Sequence, residues 1–252
     1  MTSPRALIAG LLTAVAIYAS PANATPPDVI DIREEAFGIN ATHVFVIRTS
    51  GDNLGTYESM RAESFLAAID LETGEEELWL LDRLKRSMDY SAAGEPLGWV
   101  VERDEDLIPV SPFAVLAERK AIPWNAVSQD GGDLIAPGLS QDAEAISVIY
   151  SHGSVYRVSK ERLESRLSKL AASMAENVAD HRRMSSITTR QIFADRSIPL
   201  ATCKPDRVLE NWALGGRAKH RFLRVNCSDF DEVGVTSVIV RLDLLPGTAP
   251  AS

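Results

Sequence analysis

The chain lacks the motifs that mark well-known enzyme families. Gly-x-Ser-x-Gly, Ser-x-x-Lys, the His-x-x-x-His pair of zinc proteases and the glycine-rich loops that hold phosphates or dinucleotides are all absent. Only four histidines are present, and no two of them stand at metal-ligand spacing. The sequence therefore identifies no catalytic residue, no cofactor and no metal ligand.

Positive charge is scarce as well. The chain has 26 Lys and Arg against 35 Asp and Glu, which gives a net charge of −9 at pH 7. A surface this acidic repels phosphate backbones and anionic lipids. Nucleic acid and the membrane surface are therefore not expected as partners.

Long apolar runs are missing except at the N-terminus. A short basic segment ending at Arg5 precedes the apolar run Ala6–Ala19, and Ala22-Asn23-Ala24 has the small-x-small pattern of a signal peptidase site. Residues 1–24 are thus predicted to be a signal peptide cleaved after Ala24. The alternative is an uncleaved membrane anchor, but the run falls short of the roughly 20 residues that a spanning helix needs. We expect a periplasmic or secreted protein with no stable membrane insertion after cleavage.

Cysteine occurs only twice, as Cys203 and Cys227, and both lie in the part predicted to be exported. Oxidising compartments favour disulfides, so we expect these two residues to be paired. The alternative is a redox-active pair, which usually has Cys-x-x-Cys spacing, and the spacing here is much wider.

The pattern of apolar residues predicts an α+β fold built on an antiparallel meander. It divides into a β-rich part at 25–158 and a part at 159–246 with a long helix and a disulfide-stapled C-terminal β segment, and the two parts can form one continuous domain. A short amphipathic turn is expected at Asp82–Tyr90 and a helix at Pro112–Lys120. The strands are expected at 29–33, 43–48, 64–71, 77–81, 94–101, 146–150, 154–158, 189–193, 207–214, 220–226 and 235–244.

The longest helix is predicted over about 159–184, with Ser159 as its N-cap. Its apolar residues recur at intervals of three and four and form one narrow stripe. Packing of this stripe on the chain's own sheet is one interpretation, and a homodimer through the helix is the other. The stripe consists of Leu163, Leu167, Leu170, Met174 and Val178.

One basic cluster stands out in this acidic chain. Arg217, Lys219, Arg221 and Arg224 follow one another closely and lie near Trp212. On a strand, alternate positions share a face, so these residues could present several charges to an acidic partner, a glycan or a carboxylate ligand. The alternative is that they balance the acidic surface.

These observations favour a non-catalytic, exported binding protein or envelope-associated accessory protein, whose partner is an unidentified protein or envelope component. The alternative is a hydrolase without a recognisable motif. Its residues would include His152, which lies in the turn of a predicted hairpin beside Ser151 and Ser154, and an acidic loop.

Overall fold

The computed structural model describes residues 29–53, 56, 58–104, 107–108, 110–124, 137–180, 188–210, 220–228 and 234–248. The predicted signal peptide, Arg217 and Lys219 lie outside these residues. The division of the chain at residue 158 stays a prediction.

The described chain is rich in β-structure. It contains three α-helices, a short 3-10 turn at Leu200–Thr202 and twelve strands. The helices are α1 (Pro112–Glu118), α2 (Lys160–Asn177) and α3 (Thr189–Asp195). The strands are β1 (Ile30–Ile39), β2 (His43–Asp52), β3 (Ser59–Asp70), β4 (Glu76–Tyr90), β5 (Pro96–Arg103), β6 (Ile122–Pro123), β7 (Gly138–Gln141), β8 (Ala145–Ile149), β9 (Val155–Ser159), β10 (Lys204–Glu210), β11 (Arg221–Ser228) and β12 (Val235–Leu244).

All twelve strands belong to one mostly antiparallel sheet. Its main path runs β5-β4-β3-β2-β1-β12-β9-β8-β7, while β11 and β10 extend from the other side of β12. Among the described strands, β1 and β12 form the only parallel pair, and it covers two positions, Ile32↔Thr236 and Arg33↔Ser237. Beyond these positions the two strands separate: β1 next pairs with β6 at Gly38, and β12 next pairs with β9 at Asp243. The sheet therefore has an opening between β1 and β12.

The β2–β4 region has apolar side chains on both faces, and a helix covers each face. Phe45 and Leu66 pack under α1 through Val115 and Leu116. Helix α1 begins as predicted, with Pro112 at its first turn and Ser111 accepting a hydrogen bond from the Ala114 N–H. On the opposite face, Phe65 belongs to the larger core that contains α2. Val44, Val46, Ala67 and Ile69 belong to a second cluster with Phe222 and Ile239.

Helix α2 packs on the chain's own sheet. Ser159 caps it by accepting a hydrogen bond from the Arg162 N–H, as predicted. Leu163, Leu167, Leu170 and Met174 are at most 4 % exposed in the single chain, within a core shared with β8–β12. These side chains are therefore not available at the surface for a homodimer seam.

The predicted end of this helix at residue 184 is wrong, because α2 ends at Asn177. Val178 is extended, with φ −68° and ψ 148°, and its side chain is fully buried. The next N–H, of Ala179, donates to the Glu63 carboxylate at 3.2 Å instead of to a helical carbonyl. Val178 continues the apolar spacing of the stripe, but it reaches the core from an extended backbone.

Two other predicted elements are corrected. Asp82–Tyr90 is not a turn but the second half of β4, which continues past a register shift opposite Ser64 and Phe65. Thr189–Phe193 is not a strand but lies in α3. Thr188 caps α3 through the Gln191 N–H, and Phe193 buries its ring in the core that contains α2, so capping and packing outweigh the weak strand preference of these residues.

Cys203 and Cys227 form a disulfide, as predicted. The bridge joins the ends of β10 and β11 directly beside the paired residues Lys204 and Asn226, and both cysteines are 1 % exposed.

Across the described residues, we find no helix with the length and apolar character needed to cross a membrane.

Removal of the bridge should destabilise the fold without changing it. We expect Cys203→Ala/Cys227→Ala to lower the free energy of unfolding by about 3 to 4 kcal/mol, because the unfolded chain regains the entropy of an open loop. Urea titration followed by circular dichroism measures this loss. A reducing agent should destabilise the wild type by a similar amount and leave the double variant unchanged; equal sensitivity of both proteins would contradict the expectation.

Candidate functional site

Four charged side chains are buried together between the sheet and α2. They are Glu34 on β1, Arg48 on β2, Glu76 on β4 and Arg166 on α2, and we call them the buried quartet. Their side chains are 0 %, 0 %, 2 % and 6 % exposed. Each arginine contacts both carboxylates: Arg48 lies 2.7 Å from Glu34 and from Glu76, and Arg166 lies 2.6 Å from Glu34 and also pairs with Glu76. The quartet is electrically neutral.

The quartet lies at the opening between β1 and β12. The Ile239 N–H on β12 donates to Oε2 of Glu34 at 2.9 Å, at a level where the backbone of β1 no longer pairs with β12. The Ile239 carbonyl accepts a longer hydrogen bond, 3.4 Å, from Nε of Arg166. Side chains of the quartet thus satisfy backbone groups that the opening would otherwise leave buried and unpaired.

The electrostatics of the quartet favour the charged form of every member whose pKa is shifted. Burial by itself would raise the pKa of Glu76, but the charges of Arg166 and Arg48 and their hydrogen bonds outweigh it and lower that pKa to about 2. Burial would lower the pKa of Arg48, and the carboxylates of Glu76 and Glu34 raise it instead. Glu76 and Arg48 are therefore both charged at neutral pH.

A cavity of about 300 Å³ adjoins the quartet. It lies between α2, the end of β12 and the turn that joins β3 to β4, and Arg166 forms part of its wall. Its apolar lining comes from Val44, Ile69, Phe222, Ile239 and Val240. The quartet thus borders an apolar space.

Two arginines at the cavity share one carboxylate. Arg162 donates to Asp243 through Nη1, and Nε of Arg241 lies 3.8 Å from the other oxygen of Asp243. Both guanidinium groups also donate to the Leu71 carbonyl, at 3.5 Å and 3.2 Å. Two guanidinium groups thus face one carboxylate at this point, while Asp70, Glu72 and Glu161 also line the cavity.

The β3–β4 turn that closes the cavity is held from both sides. Asp70 accepts hydrogen bonds from the Glu72 and Thr73 N–H groups, and these bonds lower the pKa of its carboxyl. Gly74 adopts φ 72°, a conformation that glycine tolerates best. Lys169 on α2 donates to the Thr73 carbonyl at 2.5 Å. Helix α2 therefore fixes both the wall and the turn of the cavity.

The structure brings together two of the residues that the sequence singled out. Arg221 pairs with Glu210 at 2.7 Å and lies over the rings of Tyr150 and Tyr156, 5.1 Å and 4.4 Å from their centroids. His152 stacks on Tyr150 with 5.3 Å between ring centroids. Burial and the hydrogen bond to Glu210 raise the pKa of Tyr150. The Arg221 guanidinium thus already contacts Glu210, Tyr150 and Tyr156 of its own chain.

Arg224 lies on the other face of β11. It stands three positions from Arg221, and side chains on a strand alternate between faces. Its guanidinium pairs with Asp206 at 2.5 Å and with Glu35 at 2.6 Å. The two described members of the predicted basic patch therefore do not share a surface.

His43 has a hydroxyl and a carboxylate as neighbours, the components of a hydrolase relay. Nδ1 of His43 lies 2.8 Å from Oγ1 of Thr42, and Nε2 lies 3.9 Å from Oδ2 of Asp70, beyond hydrogen-bond distance. The Thr42 hydroxyl also lies 3.3 Å from Oδ1 of Asn40. Among the described residues, no three or more His, Cys, Asp or Glu side chains form a group that could hold a metal. These contacts do not assemble a catalytic site, so they do not support the hydrolase alternative.

Comparison with known proteins assigns the chain to no family. No family model, no curated protein and no solved structure matches it. Its function must therefore be argued from its own residues.

The quartet and the cavity were not predicted, although the sequence contains one indication of buried ion pairs. Arg166 lies between Leu163 and Leu167, inside the apolar stripe of α2, where a charged side chain needs a buried partner. Arg48 similarly ends the apolar run that begins at Val44. Such positions indicate buried ion pairs, but they do not name the carboxylates.

Breaking the quartet should be far more costly than breaking a surface pair. We expect Arg48→Met to lower the free energy of unfolding by about 3–5 kcal/mol, because two buried carboxylates are left with one arginine. The matched control is Arg207→Met, which removes a pair with Glu35 whose side chains are 50 % and 60 % exposed. It should change stability by less than about 1 kcal/mol. Chemical denaturation compares the two, and equal losses would show that the quartet is not a buried unit.

Proposed function

We propose that this chain is an exported, non-catalytic binding protein, and that its cavity takes a small ligand with an apolar body and one carboxylate. The proposal rests on the cavity itself, where an apolar lining meets the guanidinium groups of Arg162 and Arg241. The ligand is either a free carboxylate or the C-terminus of a peptide, and both share this chemistry.

The apolar lining favours the body of such a ligand. Small-molecule sites are mostly apolar clefts of about 300–1,000 Å³ with a few placed polar groups. The cavity lies at the lower end of this range, so it suits a short chain or a single apolar side chain. Burial of each methylene contributes about 0.8 kcal/mol.

The arginine pair favours the carboxylate. Arg162 and Arg241 face one carboxylate, that of Asp243, which is 53 % exposed. A guanidinium group presents a planar fork of donors that matches a carboxylate, and such charge-assisted hydrogen bonds are stronger than neutral ones. Glu72 and Glu161 also line the cavity, and they disfavour a second negative charge on the ligand.

Export is supported by the N-terminal sequence and by the disulfide. The Cys203–Cys227 bridge persists in oxidising compartments, which is where a cleaved signal peptide delivers a protein. The ligand would then come from the envelope or from outside the cell.

The mature protein should begin at Thr25. Expression of the full-length gene in a bacterium, followed by osmotic-shock release and intact-mass spectrometry, should give the mass of residues 25–252 with two fewer hydrogens for the disulfide. An Ala24→Arg variant should retain residues 1–24, because signal peptidase needs a small residue before the cut. Full-length protein in the wild-type sample would contradict cleavage.

Octanoate is a suitable probe of the cavity, because it combines a short apolar chain with one carboxylate. We expect it to bind the mature protein in titration calorimetry, and octylamine of the same chain length not to bind. Arg162→Gln and Arg241→Gln should each weaken octanoate binding by about tenfold, since a lost charge-assisted hydrogen bond is worth about 1.5 kcal/mol or more.

The matched control is Arg157→Gln. Arg157 lies on β9 outside the cavity lining and pairs with Asp142 and Glu144 on the surface, so this variant should bind octanoate like the wild type. Val44→Phe should block binding by filling the apolar end of the cavity. Equal binding of octylamine, or an equal loss from Arg157→Gln, would contradict the carboxylate site.

A further inference from the structure

Strand β5 is an open edge with exposed apolar side chains. Within the described residues it pairs with β4 alone. Leu97, Trp99 and Val101 are 65 %, 45 % and 53 % exposed, and Val100 on the other face is 43 % exposed. An edge strand of this kind is a template for pairing with another strand unless charges or prolines protect it. Here Pro96 stands at its first position, and the charged residues Glu102 and Arg103 stand at its last two positions.

The hydrogen bonds of β5 show which residues have free backbone groups on the outer side. The Asp104 N–H donates to the Arg83 carbonyl on β4 at 3.1 Å. Backbone groups of successive strand residues point alternately to the two sides. Arg103, Val101 and Trp99 therefore direct their N–H and C=O groups away from β4, toward the open edge.

The same three residues place their side chains on one face. On β4, Met88 lies opposite Trp99 and Arg86 lies opposite Val101. The Arg86 guanidinium lies 5.7 Å from the centre of the Trp99 ring. This face of the edge is apolar, with arginine side chains at its margins.

We propose that β5 pairs antiparallel with β5 of a second copy of this chain, with Val101 opposite Val101 on the two-fold axis. In this register Trp99 lies opposite Arg103 of the second copy, and Arg103 lies opposite its Trp99. The outward backbone groups of these residues then form about six hydrogen bonds across the axis, two for each of the three closely spaced pairs.

A second copy fits this edge because the edge is complementary to itself. A two-fold interface needs the same surface on both partners, and here each tryptophan receives the guanidinium of the opposite chain. Arg103 is 74 % exposed, and its contact with Asp82 is a long surface pair of 3.7 Å that this cation–π contact can replace. The valines at the axis add an apolar contact between the two cation–π pairs.

The test uses charge at the two-fold axis. Sedimentation equilibrium should show a dimer of the mature wild-type protein at tens of micromolar. Val101→Lys and Val101→Asp should each raise the dimer dissociation constant at least about tenfold, because like charges then face each other across closely paired strands. An equal mixture of the two variants should recover the dimer, since Lys then faces Asp.

Two further variants separate pairing from folding. Val101→Pro removes an N–H that points to the open edge and leaves the bonds to β4 intact, so it should give a folded monomer by circular dichroism. Val100→Thr alters the other face at an inward-bonded position and should leave the dimer unchanged. A monomeric wild type at these concentrations, a dimer that persists in all Val101 variants, or a failure of the mixture to recover it would overturn the proposal.

Discussion

The fold depends on the way its buried charges are paired where β1 and β12 separate. Removing ions from water costs several kcal/mol for each ion, and attraction within the protein offsets that cost only when every partner is in place. Glu34, Arg48, Glu76 and Arg166 meet this condition by contacting one another and, through Glu34 and Arg166, the backbone of Ile239. The quartet contributes little net stability by this reasoning. Its effect is to penalise any arrangement in which α2 lies elsewhere on the sheet.

The same opening creates the cavity. If β1 and β12 continued side by side beyond Ser237, backbone pairing would fill the space that Ile239 and Arg241 now line. Arg166 belongs to both features, since it completes the quartet and forms part of the cavity wall. The guanidinium of Arg166 already contacts two carboxylates, so it has few donors for a ligand. The arginines that can bind one are Arg162 and Arg241, which share Asp243. The position of the cavity thus follows from the separation of two strands.

Much of the strand framework could be predicted from local pattern. The strands predicted at 43–48, 64–71 and 77–81 coincide with parts of β2, β3 and β4, and β12 matches its predicted bounds, because apolar residues recur along these segments. The disulfide followed from the number of cysteines. Two of the errors fall where local pattern admits two structures: Val178 extends a helical spacing while its backbone is extended, and Thr189 has weak strand preference but follows a helix cap. In both places tertiary packing decides the outcome, and periodicity carries no information about it.

The quartet and the cavity could not be predicted from the sequence, for a different reason. A charged residue in an apolar stripe, such as Arg166, predicts that a buried carboxylate exists, but its partner Glu34 lies 132 positions away and sits in a run of polar residues that resembles any exposed strand. The same holds for Arg162 and Arg241, whose significance comes from sharing Asp243 and the Leu71 carbonyl. Sequence pattern describes how each element meets the core or the solvent. A site made of charges from α2, β12 and a distant turn exists only after the elements have packed, so it becomes visible in the structure and not in any of its segments.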